Sequence, residues 1–169
     1  MAASNVAPPV GARRAQVEEV HGPIASASEI EIQAAAVCVW DVLTDFDRWP
    51  SWNHDVKAMT PDAGELTNGF VFRWKAGPGE IASTVAEVRP PHRIVWNGKT
   101  LGIDAHHVWR LVPLGDLTRV HTEESYRGLV AQLFRIPLKK ALEGGLDRGL
   151  VYLKREVESR KSHGLLRAS

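Results

Sequence analysis

The sequence predicts an α+β domain in which a curved antiparallel sheet of about seven strands closes on one long C-terminal helix around an apolar, ligand-sized cavity. Three observations predict this fold. Short segments that alternate apolar and polar residues follow one another between residues 26 and 127, as half-buried strands do. Turn-forming Gly, Pro, Asn and Asp separate them about every 8–12 residues, which favours a meander. Leucines then recur at steps of three or four from Leu138 toward Val157, as on the buried face of a helix.

The first elements come from local patterns. A strand is predicted at residues 26–33, where Ile30 and Ile32 alternate with polar residues. Apolar residues at helical spacing predict a short helix over residues 34–46. Pro50 interrupts the stretch that follows, which is therefore at most a second short helix or a turn.

The meander and its turns follow in order. Further strands are predicted at residues 56–60, 70–75, 81–88, 92–96, 105–112 and 117–127. Turns are predicted at Gly77-Pro78-Gly79, Asn97-Gly98 and Gly115-Asp116. Pro137 separates a short segment at residues 129–136 from the long helix and marks the start of that helix.

The chain of 169 residues suits a single domain. Residues 1–23 lack periodicity and predict a flexible N-terminal tail, and residues 162–169 predict a flexible C-terminal tail, which leaves 24–161 as the domain. The single cysteine, Cys38, excludes an internal disulfide and fits a reducing compartment. The N-terminus lacks the apolar stretch of a signal peptide, and no apolar run approaches the ~20 residues of a membrane span. A cytoplasmic monomer or homodimer is expected.

Composition and motifs argue against several classes of site. The net charge is +1 with both signs mixed along the chain, which argues against a nucleic-acid partner and against a polybasic membrane patch. Gly77-Pro78-Gly79 lacks the spacing of a phosphate-binding loop. Asp104 and His106 share a strand face but lack a third metal ligand. No cofactor and no metal are therefore expected.

The last hairpin provides the candidate site. If Gly115-Asp116 is the centre of the turn, antiparallel pairing fixes the register, whereas a three-residue turn would shift it. The opposed pairs on one face are then Leu111 with Val120, Trp109 with Thr122, and His107 with Glu124. Opposed side chains lie within ~5.5 Å at Cβ, close enough for His107 and Glu124 to form a hydrogen bond. A buried carboxylate beside an imidazole would favour the charged imidazolium.

Three interpretations of this pair remain open at the level of the sequence. The two side chains form a satisfied buried polar pair, or a hydrated pair near a cavity mouth, without further duty. Alternatively, they orient the hydroxyl or carbonyl of a ligand in an apolar cavity. In the third interpretation they act as a general acid and base.

Longer motifs resemble a known family. Residues 39–53 (VWDVLTDFDRWPSWN) resemble the first helical segment of the START-like superfamily, in its polyketide cyclase/dehydrase and lipid-transport branch, also called SRPBCC. Residues 107–113, 118–120, 124–128 and 146–154 match later patterns of that family. The resemblance spans about residues 26 to 160 and implies a helix-grip fold. It also implies an internal cavity for a lipid, a polyketide or an aromatic metabolite.

The functional expectations follow from this resemblance and from the hairpin. The residues predicted to contact the ligand are Trp52, Phe72, Trp74, Trp96, His107, Trp109, Thr122, Glu124, Leu146 and Leu150. The first hypothesis is binding, transport or sequestration of a small hydrophobic molecule. The alternative is a polyketide cyclase/aromatase or dehydrase in which His107 and Glu124 transfer protons. A third hypothesis is a protein-interaction module of co-chaperone type, which would use exposed outer residues such as Arg73, Arg110 and His121.

Overall fold

The computed structural model describes residues 11–77 and 79–166 of the chain. Within these residues, eight strands form one antiparallel sheet in the order β1-β2-β8-β7-β6-β5-β4-β3. The strands are β1 Arg13–Arg14, β2 Ile24–Ile32, β3 Ala58–Pro61, β4 Val71–Ala76, β5 Gly79–Arg89, β6 Arg93–Thr100, β7 Ile103–Leu114 and β8 Leu117–Arg127. The helices are α1 Ala36–Thr44, α2 Trp49–Trp52, α3 Leu129–Leu133 and α4 Arg135–Ser162, with a 3₁₀ turn at Phe46–Arg48. This is the predicted α+β helix-grip fold.

The last hairpin has the predicted register. Leu114 pairs with Leu117, so Gly115-Asp116 forms a two-residue turn, in which Gly115 has a φ of 68°. Glycine adopts this left-handed conformation at little cost. His107 consequently lies opposite Glu124 on neighbouring strands.

The turn predicted at Asn97-Gly98 is wrong. Both residues lie inside β6, and the chain turns instead at Leu101-Gly102, where φ is 43° and 76°. A Cβ on Gly98 would lie 3.2 Å from Ile81 Cγ2. Gly98 therefore allows Ile81 on the neighbouring strand to pack closely against the β6 backbone. From the sequence alone, this role of a glycine cannot be distinguished from a role in a turn.

Residues 11–23 are bound to the sheet, in contrast to the flexible tail that the sequence predicts. β1 pairs with the edge of β2, and residues 15–23, here called the N-terminal strap, continue onto the outer, convex face. Val20 is buried there against Val95 and Val108. These contacts are between residues distant in the chain, so no local periodicity signals them. Residues 1–10 lie outside the described residues.

The predicted helical stripe is confirmed. α4 buries Leu142, Leu146, Leu150, Leu153 and Val157. The helix begins at Arg135, two residues before the predicted Pro137, because a proline in the first turn of a helix removes no intrahelical hydrogen bond. It ends at Ser162, and Leu166 beyond it packs against the core, so part of the predicted C-terminal tail is ordered. Residues 167–169 and Pro78 lie outside the described residues.

Two apolar clusters lie between the concave face of the sheet and α4. The larger cluster joins α1, α2, the end of β2, strands β4–β8 and the second half of α4. The smaller cluster consists of Ile24, Ala131, Leu142 and Leu146, with Tyr126 and Leu138 packed against it. The clusters occupy opposite ends of the same face, which leaves the middle of β2 and β8 between them.

Candidate functional site

A row of polar side chains separates the two apolar clusters. On β2 the concave positions between Ile24 and Ile30 are serines, and on β8 those between Val120 and Tyr126 are Thr122 and Glu124. His107 completes the row from β7. We call this set the polar belt: Ser26, Ser28, His107, Thr122 and Glu124. All five residues are buried, an unusual placement for side chains that lose hydration unless they are paired.

The imidazole of His107 has one partner and one unpaired nitrogen. Its Nε2 lies 2.8 Å from Thr122 Oγ1, and the Thr122 hydroxyl donates to Val108 O at 3.2 Å. The tautomer protonated at Nε2 satisfies both contacts and leaves Nδ1 as an acceptor. Nδ1 is buried without a hydrogen-bond partner among the described residues. It lies 3.6 Å from Glu124 Oε1, too far for a hydrogen bond.

Burial keeps both members of the His107–Glu124 pair neutral. Desolvation, assisted by the charge of His106, lowers the pKa of His107 to about 3. Desolvation also raises the pKa of Glu124 to about 8, against the opposing effect of a hydrogen bond from Tyr126. The prediction that His107 is a charged imidazolium is therefore wrong, because the cost of burying two charges exceeds their attraction at this distance.

Tyr126 is a site residue that sequence reasoning missed. Its hydroxyl donates to Glu124, and burial and the Glu124 carboxyl both raise its own pKa. The ring packs against the smaller apolar cluster. The sequence does contain a signal for it, since Tyr126 follows Glu124 by two residues and therefore lies on the same strand face. Ser26 and Ser28 were missed although they share the face of Ile30 for the same reason.

Two tryptophans form an aromatic wall beside His107. The ring of His107 lies 4.8 Å from that of Trp96 and 5.2 Å from that of Trp109, centroid to centroid. Trp109 Nε1 is buried and has no hydrogen-bond partner in the part of the chain that the structure describes. Among the described residues, the belt thus holds one unpaired acceptor, His107 Nδ1, and the aromatic wall beside it holds an unpaired donor, Trp109 Nε1. Buried polar atoms without partners are rare, and a bound water or ligand is one explanation for them.

Other residues predicted to contact a ligand pack against each other. Phe72 stacks on Phe46 at 4.4 Å, and Trp74 Nε1 donates to Ser83 Oγ at 3.0 Å. Trp52 lies against Trp49 in the larger apolar cluster. These side chains form a packed core rather than the lining of an open space.

The remaining predicted residues flank the belt. Leu146 belongs to the smaller cluster and Leu150 to the larger one. Phe72, Thr122 and Leu150 have no exposed surface, so no solvent-sized space adjoins them. A cleft of about 500 Å³ lies instead on the outer face, between the strap and β6–β8. The open apolar cavity predicted from the sequence is therefore filled at these three positions.

The outer face is largely occupied by the strap. Oε2 of Glu123 accepts hydrogen bonds from the backbone N–H groups of Glu18 and Glu19, both at 2.9 Å, and of Val20 at 3.3 Å. Its Oε1 accepts from Arg110 at 2.7 Å and from His121 at 2.9 Å. Three outer residues are expected from the sequence to be exposed. His121 is buried, and Arg110 is half-buried and pairs with Glu18 of the strap. Arg73 is exposed and pairs with Asp62, away from the strap.

The comparisons with known proteins agree with this architecture. The sequence profile of the polyketide cyclase/dehydrase and lipid transport family matches residues 23–158, and the chain belongs to that family. No curated protein matches the sequence. The structure resembles the Zhui aromatase/cyclase from Streptomyces sp. R1128, with a TM-score of 0.72, 16% identity, and coverage of 81% of this chain and 94% of that one. It also resembles a START superfamily protein from Mycobacterium smegmatis, with a TM-score of 0.68, 18% identity, and coverage of 80% and 97%.

These likenesses define the fold and a coarse role. At such identities the neighbours establish the START-like architecture, while the family supports a ligand-binding or cyclase-type role. None of the helices in residues 11–77 and 79–166 is long and apolar enough to cross a membrane. The fold alone does not define the chemistry of this protein, since one fold hosts many functions. The side chains of the polar belt carry that information.

Proposed function

We propose that this protein binds a small hydrophobic molecule with a hydroxyl or carbonyl group, between the concave face of the sheet and α4. The observation that carries the proposal is the polar belt between two apolar clusters, where His107 Nδ1 and Trp109 Nε1 in the adjacent aromatic wall are buried without a hydrogen-bond partner among the described residues. An apolar ligand body would replace side-chain contacts in the clusters. A hydroxyl would supply both missing hydrogen bonds and a carbonyl the one from Trp109 Nε1, as in ligand sites that combine apolar walls with few polar groups.

The protonation state of the belt favours a neutral ligand. The burial that keeps His107 and Glu124 uncharged would also penalise a charged group placed between them. A hydroxyl both donates and accepts, so a single hydroxyl can donate to His107 Nδ1 and accept from Trp109 Nε1. Entry requires side chains to move, because the belt is closed in this structure.

The binding proposal predicts that loss of one indole nitrogen weakens the complex. Trp109→Phe keeps an aromatic ring but removes the unpaired donor, and we expect affinity for the natural ligand to fall about tenfold, the equivalent of one hydrogen bond. The ligand would be obtained by native mass spectrometry of protein purified from its own host, then added back to ligand-free protein. Trp74→Phe is the matched control, since Trp74 Nε1 already has Ser83 as its partner.

Two outcomes would contradict the proposal. One is wild-type protein that carries no small molecule and binds none from an extract of its host. The other is equal affinity in wild type and Trp109→Phe while the Trp74→Phe control behaves as expected.

A second candidate function is a cyclase or dehydrase step, and the raised pKa of Glu124 favours it. Glu124 is a protonated acid with a pKa of about 8, near the value that suits a general acid at neutral pH. It would protonate a carbonyl oxygen or a departing hydroxyl of the substrate. His107, with its pKa of about 3, is a weak base and would chiefly orient the reacting group.

The catalytic candidate predicts a strong effect at Glu124. With a polyketide-like substrate, Glu124→Gln should lower turnover by ~10²-fold or more, the usual contribution of a general acid. Wild-type turnover should also fall as the pH rises through about 8, because the acid loses its proton there. Glu65→Gln, which changes an exposed glutamate, is the control. Unchanged turnover in Glu124→Gln would leave binding as the function.

A further inference from the structure

One end of the molecule exposes an apolar surface that the fold does not require. It consists of Leu101 in the β6–β7 turn and Leu129, Leu133, Phe134 and Ile136 around the α3–α4 junction, here called the apolar tip. Their exposed fractions lie between 56% and 84%. Single exposed leucines are common, but a cluster of large apolar side chains on one surface marks an interaction site.

Backbone contacts join the two parts of the tip. A Cβ on Gly102 would lie 3.3 Å from Val130 Cγ2, and one on Gly128 would overlap the carbonyl oxygen of Gly102. The β6–β7 turn is therefore held against the start of α3. Leu101 has a φ of 43°, a conformation that asparagine or glycine adopts more readily than leucine. A bulky apolar residue stands at a turn position where it is strained and gains little burial.

Unpaired basic residues accompany the tip. Residues 128–142 contain Arg135, Lys139 and Lys140 and no acidic residue, and Glu143, one helical turn beyond the lysines, is the first acidic residue to follow. All three are exposed, and none forms an ion pair with another described residue, whereas most arginines elsewhere on the sheet are paired. The even charge balance of the whole sequence thus does not extend to this region, where positive charge is segregated beside apolar side chains.

We propose that the apolar tip docks on an anionic lipid bilayer, with its apolar side chains in the interface and Arg135, Lys139 and Lys140 at the headgroups. Apolar side chains flanked by basic residues are the composition of interfacial membrane-binding elements. Ile136, at 84% exposed, projects from the surface rather than lining a groove, which suits insertion better than the seating of a partner helix. An excess of positive over negative charge fits an anionic surface.

The position of the tip relates docking to the polar belt. Ala131 on the inner side of α3 belongs to the cluster against which Tyr126 packs, and Tyr126 donates to Glu124. The exposed side of α3 therefore carries part of the apolar tip, and its inner side covers the polar belt. If the proposed ligand binding is correct, docking places α3, which covers the polar belt, next to a bilayer that contains hydrophobic molecules. Docking itself does not depend on that ligand.

Vesicle flotation with the full chain tests the proposal. We expect wild-type protein to float with vesicles of phosphatidylcholine and phosphatidylglycerol, not with phosphatidylcholine alone, and to be released by high salt, which screens the attraction. Leu133→Ser with Ile136→Ser should abolish flotation. Val112→Ser with Leu114→Ser makes the same kind of change at two less exposed apolar residues beside the β7–β8 turn and should leave flotation unchanged.

A second pair of variants tests the charges without altering the apolar residues. Lys139→Ala with Lys140→Ala should weaken binding more than tenfold, since each lysine near an anionic surface contributes about a fivefold factor. Lys57→Ala with Lys75→Ala makes the same change in net charge on the exposed β3–β4 edge and should have little effect. Absence of wild-type flotation, equal flotation with both vesicles, or equal losses in the two lysine pairs would overturn the proposal. Wild-type protein that binds an acidic protein but no vesicle would overturn it too.

Discussion

Replacing Glu123 with glutamine is expected to lower the free energy of unfolding by about 3 to 5 kcal/mol, the cost of breaking a buried ionic network from one side. The Glu123 side chain has no exposed surface. Its two oxygens accept five hydrogen bonds, from three backbone N–H groups of the strap, from Arg110 and from His121. The strap N–H groups and His121 lower the pKa of the carboxyl despite its burial, so it is ionised at neutral pH.

Glutamine has nearly the same shape but cannot replace this carboxylate. Either orientation of the amide points its NH₂ group at donors, which leaves backbone N–H groups or the Arg110 guanidinium buried without an acceptor. The strap should then detach, and trypsin should cut after Arg14, which β1 pairing otherwise holds in the sheet. Urea unfolding followed by tryptophan fluorescence, together with limited trypsin digestion, measures both effects.

Glu18→Gln is the matched control for this substitution. Glu18 also pairs with Arg110, but its side chain is 56% exposed, so its removal should cost less than about 1 kcal/mol. If the free energy of unfolding of Glu123→Gln lies within about 1 kcal/mol of the wild-type value, and the strap stays resistant to trypsin, the network contributes little to stability.

The free energy of unfolding is expected to fall as the pH rises from about 6.5 to 8, by at most about 1.4 kcal/mol per pH unit, and Glu124→Gln should abolish this fall. Burial raises the pKa of Glu124 from an ordinary 4.5 to about 8. Between these values the folded protein holds a proton that the unfolded chain has released. The contribution of Glu124 to stability is therefore complete below pH 4.5 and is lost progressively up to about 8.

His107 has the opposite sign and acts in a different pH range. Its pKa falls from an ordinary 6.5 to about 3 on burial, so the unfolded chain binds the extra proton and stability rises with pH from about 3 to 6.5. The two effects offset each other between 4.5 and 6.5. Above 6.5 only Glu124 of the pair contributes, which makes that range the cleanest to measure.

Denaturant unfolding at a series of pH values would measure this profile. Glu65→Gln removes an exposed carboxyl and should leave the fall between pH 6.5 and 8 intact. A wild-type profile that is flat in this range, or a fall that persists in Glu124→Gln, would mean that Glu124 is ionised in the folded protein at neutral pH.

Much of the fold was predictable because it rests on periodic burial. Ile30 and Ile32, the leucines of α4 and the Gly115-Asp116 turn each carry a local signal, and together they define the sheet, the helix and the register of β7 with β8. That register brought His107 and Glu124 to the same face. By contrast, Asn97-Gly98 has the chemistry of a turn but lies within β6, because pairing with β7 continues to Thr100.

The sequence by itself determined which strand faces turn inward and which two ionisable residues meet there. Only the tertiary structure decided their chemistry. Strand pairing sets Cβ positions to within a few ångströms, but protonation depends on how completely α3, α4 and the aromatic wall exclude water. Ala131, Leu146 and Trp96 come from distant parts of the chain, and their packing makes Glu124 an acid and His107 a neutral acceptor. The same holds for the strap, whose order depends on a buried carboxylate about a hundred residues away.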